Sequence, residues 1–167
     1  MSVLICYDGS ASARHAVAVA AATVSGDDMT LMHAWCPPVA YLADAFSDPG
    51  MWGGPSLQKL EQLSEERAKE VADEGERIAR EHGLTVALRV VRAEASVWRT
   101  ILDVADELDA KLIVVGTRGL TAVQSALLGS VSGAIVHHSK RPVMVVPEQV
   151  VAAGASHAGE RLVAEAG

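Results

Sequence analysis

Two glycine-containing segments in the last third of the chain have the residue types and the spacing of a phosphate-binding loop. Glycines let the backbone approach a ligand closely and adopt positive φ. A helix that begins in the second segment presents free N–H groups and the positive end of its dipole to an anion, and serine hydroxyls add donors. The segments are Gly116, Thr117, Arg118 and Gly119 and, after nine further residues, Gly129, Ser130, Val131 and Ser132.

Three predicted strands end on residues that suit the same site. Asp8 ends the first strand, Ala34 the second and Gly116 the fourth. In open parallel sheets ligands lie beyond the carboxyl ends of the strands, where the strand order reverses. If the first and fourth strands are neighbours, these residues meet. The Asp8 carboxylate can then accept a ribose hydroxyl or lie near a magnesium ion, or it only turns the chain into the first helix.

The elements that position these residues alternate between strand and helix. This alternation predicts βαβ units with right-handed crossovers. We therefore expect an α/β fold with a single doubly wound, mostly parallel five-stranded sheet and helices on both faces. The predicted strands are residues 2–7, 29–34, 84–91, 111–115 and 143–146, and the predicted helices follow Ser10 or Ser12, Ser56, Ser96 and Ser130.

Capping residues and apolar spacing define the helices. Ser10 or Ser12 is predicted to cap the first helix, which ends near Gly26. Ser56 and Gly83 are predicted to bound the second, long and charged helix. Its apolar stripe is predicted to comprise Leu57, Leu60, Leu63, Val71 and Ile78.

Three ordered blocks of this chain resemble the universal stress protein family. They are residues 3–10, the glycine segments with their G-x2-G-x9-G-S spacing, and residues 141–147. The resemblance covers residues 1–147, predicted as one nucleotide-binding domain, and leaves 148–167 as a C-terminal tail. The spacing is similar to that of the ATP-binding branch.

The resemblance implies a Rossmann-like fold of the adenine nucleotide alpha hydrolase type that binds ATP, with Mg²⁺. It also implies a homodimer formed through the last strand, Val143–Val146. It places an aspartate beside the nucleotide and a main-chain contact to adenine at the end of the second strand. The cofactor-binding residues predicted from the motif and the resemblance are Asp8, Ala34, Gly116, Thr117, Arg118, Gly119, Gly129, Ser130, Val131 and Ser132.

The expected function is a nucleotide-dependent stress or signalling module with at most slow ATP hydrolysis, because no catalytic base is recognised. One alternative is a family member that binds no nucleotide and works only through protein interactions. Another is a nucleotide hydrolase or nucleotidyl transferase. The chain has no G-x-x-x-x-G-K-[ST] motif and no G-x-G-x-x-G after its first strand, which argues against a P-loop or dinucleotide-binding site.

Composition excludes further classes. The formal net charge of −7 disfavours nucleic-acid binding, which needs a basic surface. The sequence has neither the apolar run of a membrane span nor a recognisable signal peptide, so a cytoplasmic protein is expected. Cys6 and Cys36 fit no zinc or C-x-x-C spacing, and the six histidines are expected to be structural or exposed, so no metal site is predicted.

Overall fold

A computed structural model of the protein describes residues 2–24, 28–37, 57–117, 119 and 128–148. Within them five parallel strands form one sheet, which confirms the predicted α/β class and doubly wound topology. The elements are β1 (Ser2–Cys6), α1 (Ala11–Thr23), β2 (Asp28–Trp35), α2 (Leu57–Glu81), β3 (Val86–Arg92), α3 (Val97–Glu107), β4 (Leu112–Gly116), α4 (Ser130–His138) and β5 (Val143–Val146).

The strand order is β3-β2-β1-β4-β5, so the direction of winding reverses between β1 and β4. These two strands pair directly, with Leu4 opposite Ile113 and Ile5 opposite Val114. The predicted neighbour relation between the first and fourth strands is confirmed. The carboxyl ends of β1 and β4 therefore lie side by side at the reversal point, where parallel sheets hold their ligands.

Helices cover both faces of the sheet, and β1 is buried between them. Val3 and Ile5 pack with residues of α1 and α2, whereas Leu4 and Cys6 pack with residues of α3 and α4. Because side chains of a strand alternate between faces, a strand covered on both sides must be apolar throughout. This explains the unbroken apolar run at the start of the chain.

The helix boundaries follow local chemistry at two predicted caps. The Ser10 hydroxyl accepts the Ala13 N–H at 3.2 Å and caps α1, as predicted. Gly83 has φ +78°, and α2 ends there with the Leu84 N–H donating to the Ala79 carbonyl at 2.9 Å. A residue in this left-handed conformation is commonly glycine because a side chain would strain it. The other two predicted caps, Gly26 and Ser56, lie outside the described residues.

The apolar stripe predicted for α2 is wrong at Leu63 and confirmed at Val71 and Ile78, while Leu60 is half-buried. Leu63 is 46% exposed, and nothing is described of the Leu57 side chain. A helix of 25 residues is about 37 Å long, while the eight-residue strand β2 spans about 26 Å. The first half of α2 therefore extends past the sheet, and burial falls on the second half. The buried residues of α2 are Ala68, Val71, Ala72, Gly75, Ile78 and Ala79.

Although α2 is the longest helix in the described part of the chain, neither it nor any other described helix is long and apolar enough to cross a membrane.

Gly75 marks the closest approach of α2 to the sheet. A Cβ atom at this position would lie 2.7 Å from Tyr7 Cδ1 and 2.9 Å from Tyr7 Cγ. Tyr7 is 2% exposed, so its ring has no space into which it can retreat. Only glycine permits this helix to lie against the end of β1.

We expect Gly75→Ala to lower the free energy of unfolding by about 1–3 kcal/mol, because the added methyl overpacks the Tyr7 ring. In an exposed helix the same change would stabilise by about 1 kcal/mol, so the sign of the effect is diagnostic. Urea denaturation measures it. Gln62→Ala, on the exposed surface of the same helix, is the control and should stay near neutral. A more stable Gly75→Ala protein would contradict the described contact.

Candidate functional site

Asp8 lies at the carboxyl edge of the sheet, in the turn between β1 and α1. Its Oδ1 accepts the Ser10 N–H at 3.0 Å, and Gly9 takes φ +81° to make the turn. One carboxylate oxygen therefore performs the local role foreseen from the sequence, which is to turn the chain into its first helix. The other oxygen, Oδ2, faces the chain that follows β4.

Gly119 meets Asp8 across the reversal point. A Cβ atom on Gly119 would lie 2.8 Å from Asp8 Oδ2. Gly116 makes a similar approach to α1, where an added Cβ would lie 2.5 Å from Ser12 Oγ and 2.9 Å from the Ala13 nitrogen. Two glycines of the motif thus allow the chain after β4 to touch the start of α1.

Thr117 holds the two glycine segments together through its main chain. Its N–H donates to the Val146 carbonyl at 2.8 Å, and its carbonyl accepts the Gly129 N–H at 2.7 Å. The Ser132 hydroxyl also donates to the Thr117 carbonyl, at 2.8 Å, and lies 3.2 Å from the Gly129 carbonyl oxygen. Ser132 is 3% exposed, so this hydroxyl positions the loop from within.

The start of α4 presents main-chain donors to the same edge. Gly129 is the N-cap residue, and the helical bonds begin with the Gly133 N–H donating to the Gly129 carbonyl at 2.8 Å. The first-turn amides of a helix have no acceptor within it, and this holds for those of Ser130, Val131 and Ser132 in α4. The first turn carries no acidic residue that would repel an anion.

Ala34 offers main-chain groups where the β1 ladder has ended. The last bond between β1 and β2 runs from the Tyr7 N–H to the Met32 carbonyl at 2.8 Å. Strand residues two apart face the same side, so the N–H and C=O of Ala34 point past the end of β1, towards Asp8. The main chain of Trp35, the next residue, faces the opposite neighbour, β3, and its carbonyl accepts the Ala93 N–H at 2.7 Å.

His33 links the end of β2 to the residue before Asp8. Its Nδ1 lies 2.8 Å from the Tyr7 carbonyl oxygen. A carbonyl only accepts, so Nδ1 carries a proton and Nε2 is the acceptor in the neutral ring. Burial lowers the pKa of His33, while the bond to Tyr7 and the negative charge of Asp8 act in the opposite direction.

An open groove of about 290 Å³ lies beside His33, between the end of β2 and the projecting half of α2. The apolar periodicity of the sequence does not predict this groove, because the groove depends on how far α2 extends beyond the sheet. Its lining residues are His33, Trp35, Cys36, Leu60, Leu63, Ser64, Arg67 and Ala68.

The structure brings together most of the predicted site residues. Asp8 and the glycine segments meet at one edge, with Ala34 on the adjacent strand. Arg118 lies outside the described residues, as does the rest of the chain between the two segments except Gly119 and Leu128. Cys6 is buried on β1, and this burial together with the charge of Asp8 raises its pKa to about 12.

Comparison with known proteins supplies an independent line of evidence. The family model of the universal stress protein family matches residues 1–147. A universal stress protein of Thermus aquaticus is 35% identical over 147 residues, which are 87% of this chain and 97% of the relative. One of Mycolicibacterium smegmatis is 32% identical over 152 residues, but the match spans 86% of this chain and only 47% of that longer relative.

Solved structures share the fold. A universal stress protein in complex with cAMP has a TM-score of 0.60 and 24% identity, with 89% of this chain and 98% of that chain covered. A universal stress protein from Archaeoglobus fulgidus in complex with dAMP has a TM-score of 0.58 and 22% identity, with 87% and 97% covered.

The two serines at the start of α4 make a matched test of the loop geometry. We expect Ser132→Ala to lower the free energy of unfolding by about 1 kcal/mol, because it removes the buried hydroxyl bonded to Thr117. Ser130→Ala, at an exposed position of the same turn, should change it by less than about 0.5 kcal/mol. Thermal and urea unfolding measure both. Equal effects would mean that the Ser132 hydroxyl does not position the loop.

Proposed function

Because the chain belongs to the universal stress protein family, we propose that it binds ATP at the carboxyl edge of its sheet and acts as a nucleotide-dependent stress or signalling module. The neighbours solved with cAMP and dAMP support an adenine nucleotide as the ligand class. The choice of ATP rests on the glycine spacing, which resembles that of the ATP-binding branch of the family.

The contact between Gly119 and Asp8 carries the proposal. It joins the two parts of a nucleotide site, a carboxylate for the ribose and a loop for the phosphates, at the point where the strand order reverses. Both the carboxylate and the loop lie at the carboxyl edge of the sheet, so the proposed site needs no residue from its amino edge. A ligand that spans both parts must be elongated and anionic at one end, as a nucleotide is.

The proposed roles follow from the main chain. The Ser130, Val131 and Ser132 amides bind phosphate together with the dipole of α4. Asp8 accepts a ribose hydroxyl through Oδ2, and Ala34 pairs with adenine through its N–H and C=O. The neighbouring residues Gly116, Thr117, Gly119 and Gly129 shape the loop, and Arg118 is proposed to donate to a phosphate.

In this proposal the magnesium ion is bound by the phosphates of the nucleotide and has no protein site of its own. The described residues contain no group of three or more His, Cys, Asp or Glu side chains that could hold a metal ion. The acidic net charge is no obstacle to a polyphosphate, because charges farther than about 8–10 Å are screened at physiological salt while the amides lie in contact.

We propose binding with at most slow hydrolysis. Asp8, whose Oδ2 faces Gly119, already uses its other carboxylate oxygen to hold the β1–α1 turn. A site that binds substrate without a positioned base gives little discrimination for the transition state. Sustained ATP turnover that disappears in Asp8→Ala would instead support a nucleotide hydrolase or transferase.

A second candidate is an interaction module that binds no nucleotide. Its support is that Gly116 and Gly119 have a packing reason to be glycine, since a Cβ would clash at each. The glycines could then serve the fold alone.

Substitutions at Gly129 separate the two candidates. Its φ of −69° and ψ of 165° suit any residue, and Asp and Asn are both favoured at an N-cap, so neither should reduce stability. We expect Gly129→Asp to weaken MgATP binding about tenfold or more relative to Gly129→Asn, since only the former places a negative charge beside the phosphates. Calorimetry on protein stripped of ligand measures it. No saturable heat for the unaltered protein at millimolar MgATP would refute the ATP site.

We also propose a homodimer formed through β5. The two edge strands of the described sheet, β3 and β5, differ in charge. The β3 edge carries Arg89 and Arg92, which pair with Glu107 and Glu61 at 3.0 and 3.1 Å and discourage pairing with another sheet. The β5 edge, Val143–Val146, has no charged residue, and its first three side chains are half-buried.

Val145→Pro should convert the dimer to monomer. The Val146 carbonyl faces β4, so by alternation the Val145 N–H faces outwards, where a second copy would accept it. Proline removes this donor without breaking a bond to β4. Light scattering at micromolar concentration is the measurement, with thermal unfolding as the check that the variant is folded. A monomeric parent protein would contradict the dimer.

A further inference from the structure

His33 lies between a solvent-open groove and the proposed ligand site. It is half-buried, and one side of its environment is the open groove beside α2. The other side is the end of β1, through the 2.8 Å bond from Nδ1 to the Tyr7 carbonyl. Asp8 directly follows Tyr7 in the chain. No step of the proposed nucleotide binding uses this imidazole.

The bond to Tyr7 determines where a second proton can go. Since Nδ1 already carries a hydrogen, protonation occurs at Nε2, which has no donor role in the neutral ring. The groove is open to solvent, so this proton can arrive without a rearrangement of the sheet. Histidine is the side chain whose ordinary titration lies nearest to physiological pH.

Charged and titratable groups lie on the elements around His33. At the end of β1 the Asp8 carboxylate favours the imidazolium, and it does so in competition with burial. From α2, Arg67 lines the same groove and opposes a second positive charge, although it is paired with Glu70 at 2.8 Å. The Cys36 thiol lines the groove from the end of β2. Beyond the Tyr7 ring, Arg14 and Glu74 form a pair at 2.7 Å.

We propose that His33 couples proton binding to occupancy of the Asp8 site: a proton on Nε2 adds a positive charge beside the end of β1, where Asp8 follows Tyr7, and favours an anionic nucleotide, so that the nucleotide is held more tightly in mild acid. This regulation rests on the proposed function. By linkage, the nucleotide in turn must favour the protonated form of His33. The sign follows from charge alone, because a cation attracts the phosphates and a neutral ring does not.

The coupling between His33 and Asp8 can be measured without any nucleotide. In Asp8→Asn the amide oxygen still accepts the Ser10 N–H, so the turn and the fold are retained, but the negative charge is gone. An NMR titration of the imidazole signals, with His33 assigned by their loss in His33→Gln, should show a lower pKa for His33 in Asp8→Asn. The exposed His82 at the end of α2 serves as the internal control and should not move. An unchanged His33 titration in the folded variant would overturn the proposal.

The regulatory consequence is tested with MgATP, whose charge stays constant above about pH 6 when magnesium is in excess. We expect its affinity to rise a few-fold from pH 8 to pH 6, and this rise to be lost in His33→Gln but retained in His82→Gln. A rise that survives in His33→Gln would assign the linkage to another group and overturn the role of His33. Absence of MgATP binding at every pH would end the proposed function and this regulation with it, while the titration of the free protein still decides the His33–Asp8 coupling.

Discussion

The candidate site depends on one constraint, which is the close approach of the chain after β4 to the turn that leaves β1. Side-chain atoms at Gly116 would collide with the first turn of α1, and at Gly119 they would collide with the Asp8 carboxylate. Absence of a Cβ at two positions therefore brings the loop and the carboxylate within contact.

The other components of the site follow from where neighbouring elements end. β1 stops three residues short of the end of β2 in the pairing register, and this leaves the main chain of Ala34 facing the side of the ladder that β1 no longer covers. α4 begins immediately after the Gly129–Thr117 bond, so its first-turn amides open onto the same edge. Backbone groups at strand and helix ends supply the polarity here, since those in the middle of the inner strands are paired within the sheet.

The same edge supports the proposal that this acidic protein binds an anionic ligand. The net charge of −7 is distributed over a surface on which many carboxylates pair with arginine or lysine, as along α2. Such exposed pairs contribute little to stability and are screened by salt. Attraction of a phosphate is a local matter of amides and the helix dipole, and His33 adds a charge to this edge only when it is protonated.

Much of this fold was determined by the sequence itself. The apolar β1 run, the bounds of β5, the Ser10 and Gly83 caps and the neighbour relation of β1 and β4 all follow from local pattern and from topology rules, because periodicity and capping are short-range properties. The meeting of Asp8, Ala34 and Gly116 at one edge was likewise predictable. The tertiary structure alone decided that Leu63 is exposed, that the Ser132 hydroxyl bonds inwards to Thr117 and that His33 reaches the Tyr7 carbonyl. In each case the reason is distance: a sequence pattern shows which face a residue takes, but only packing shows how far an element extends and which atom a polar group meets.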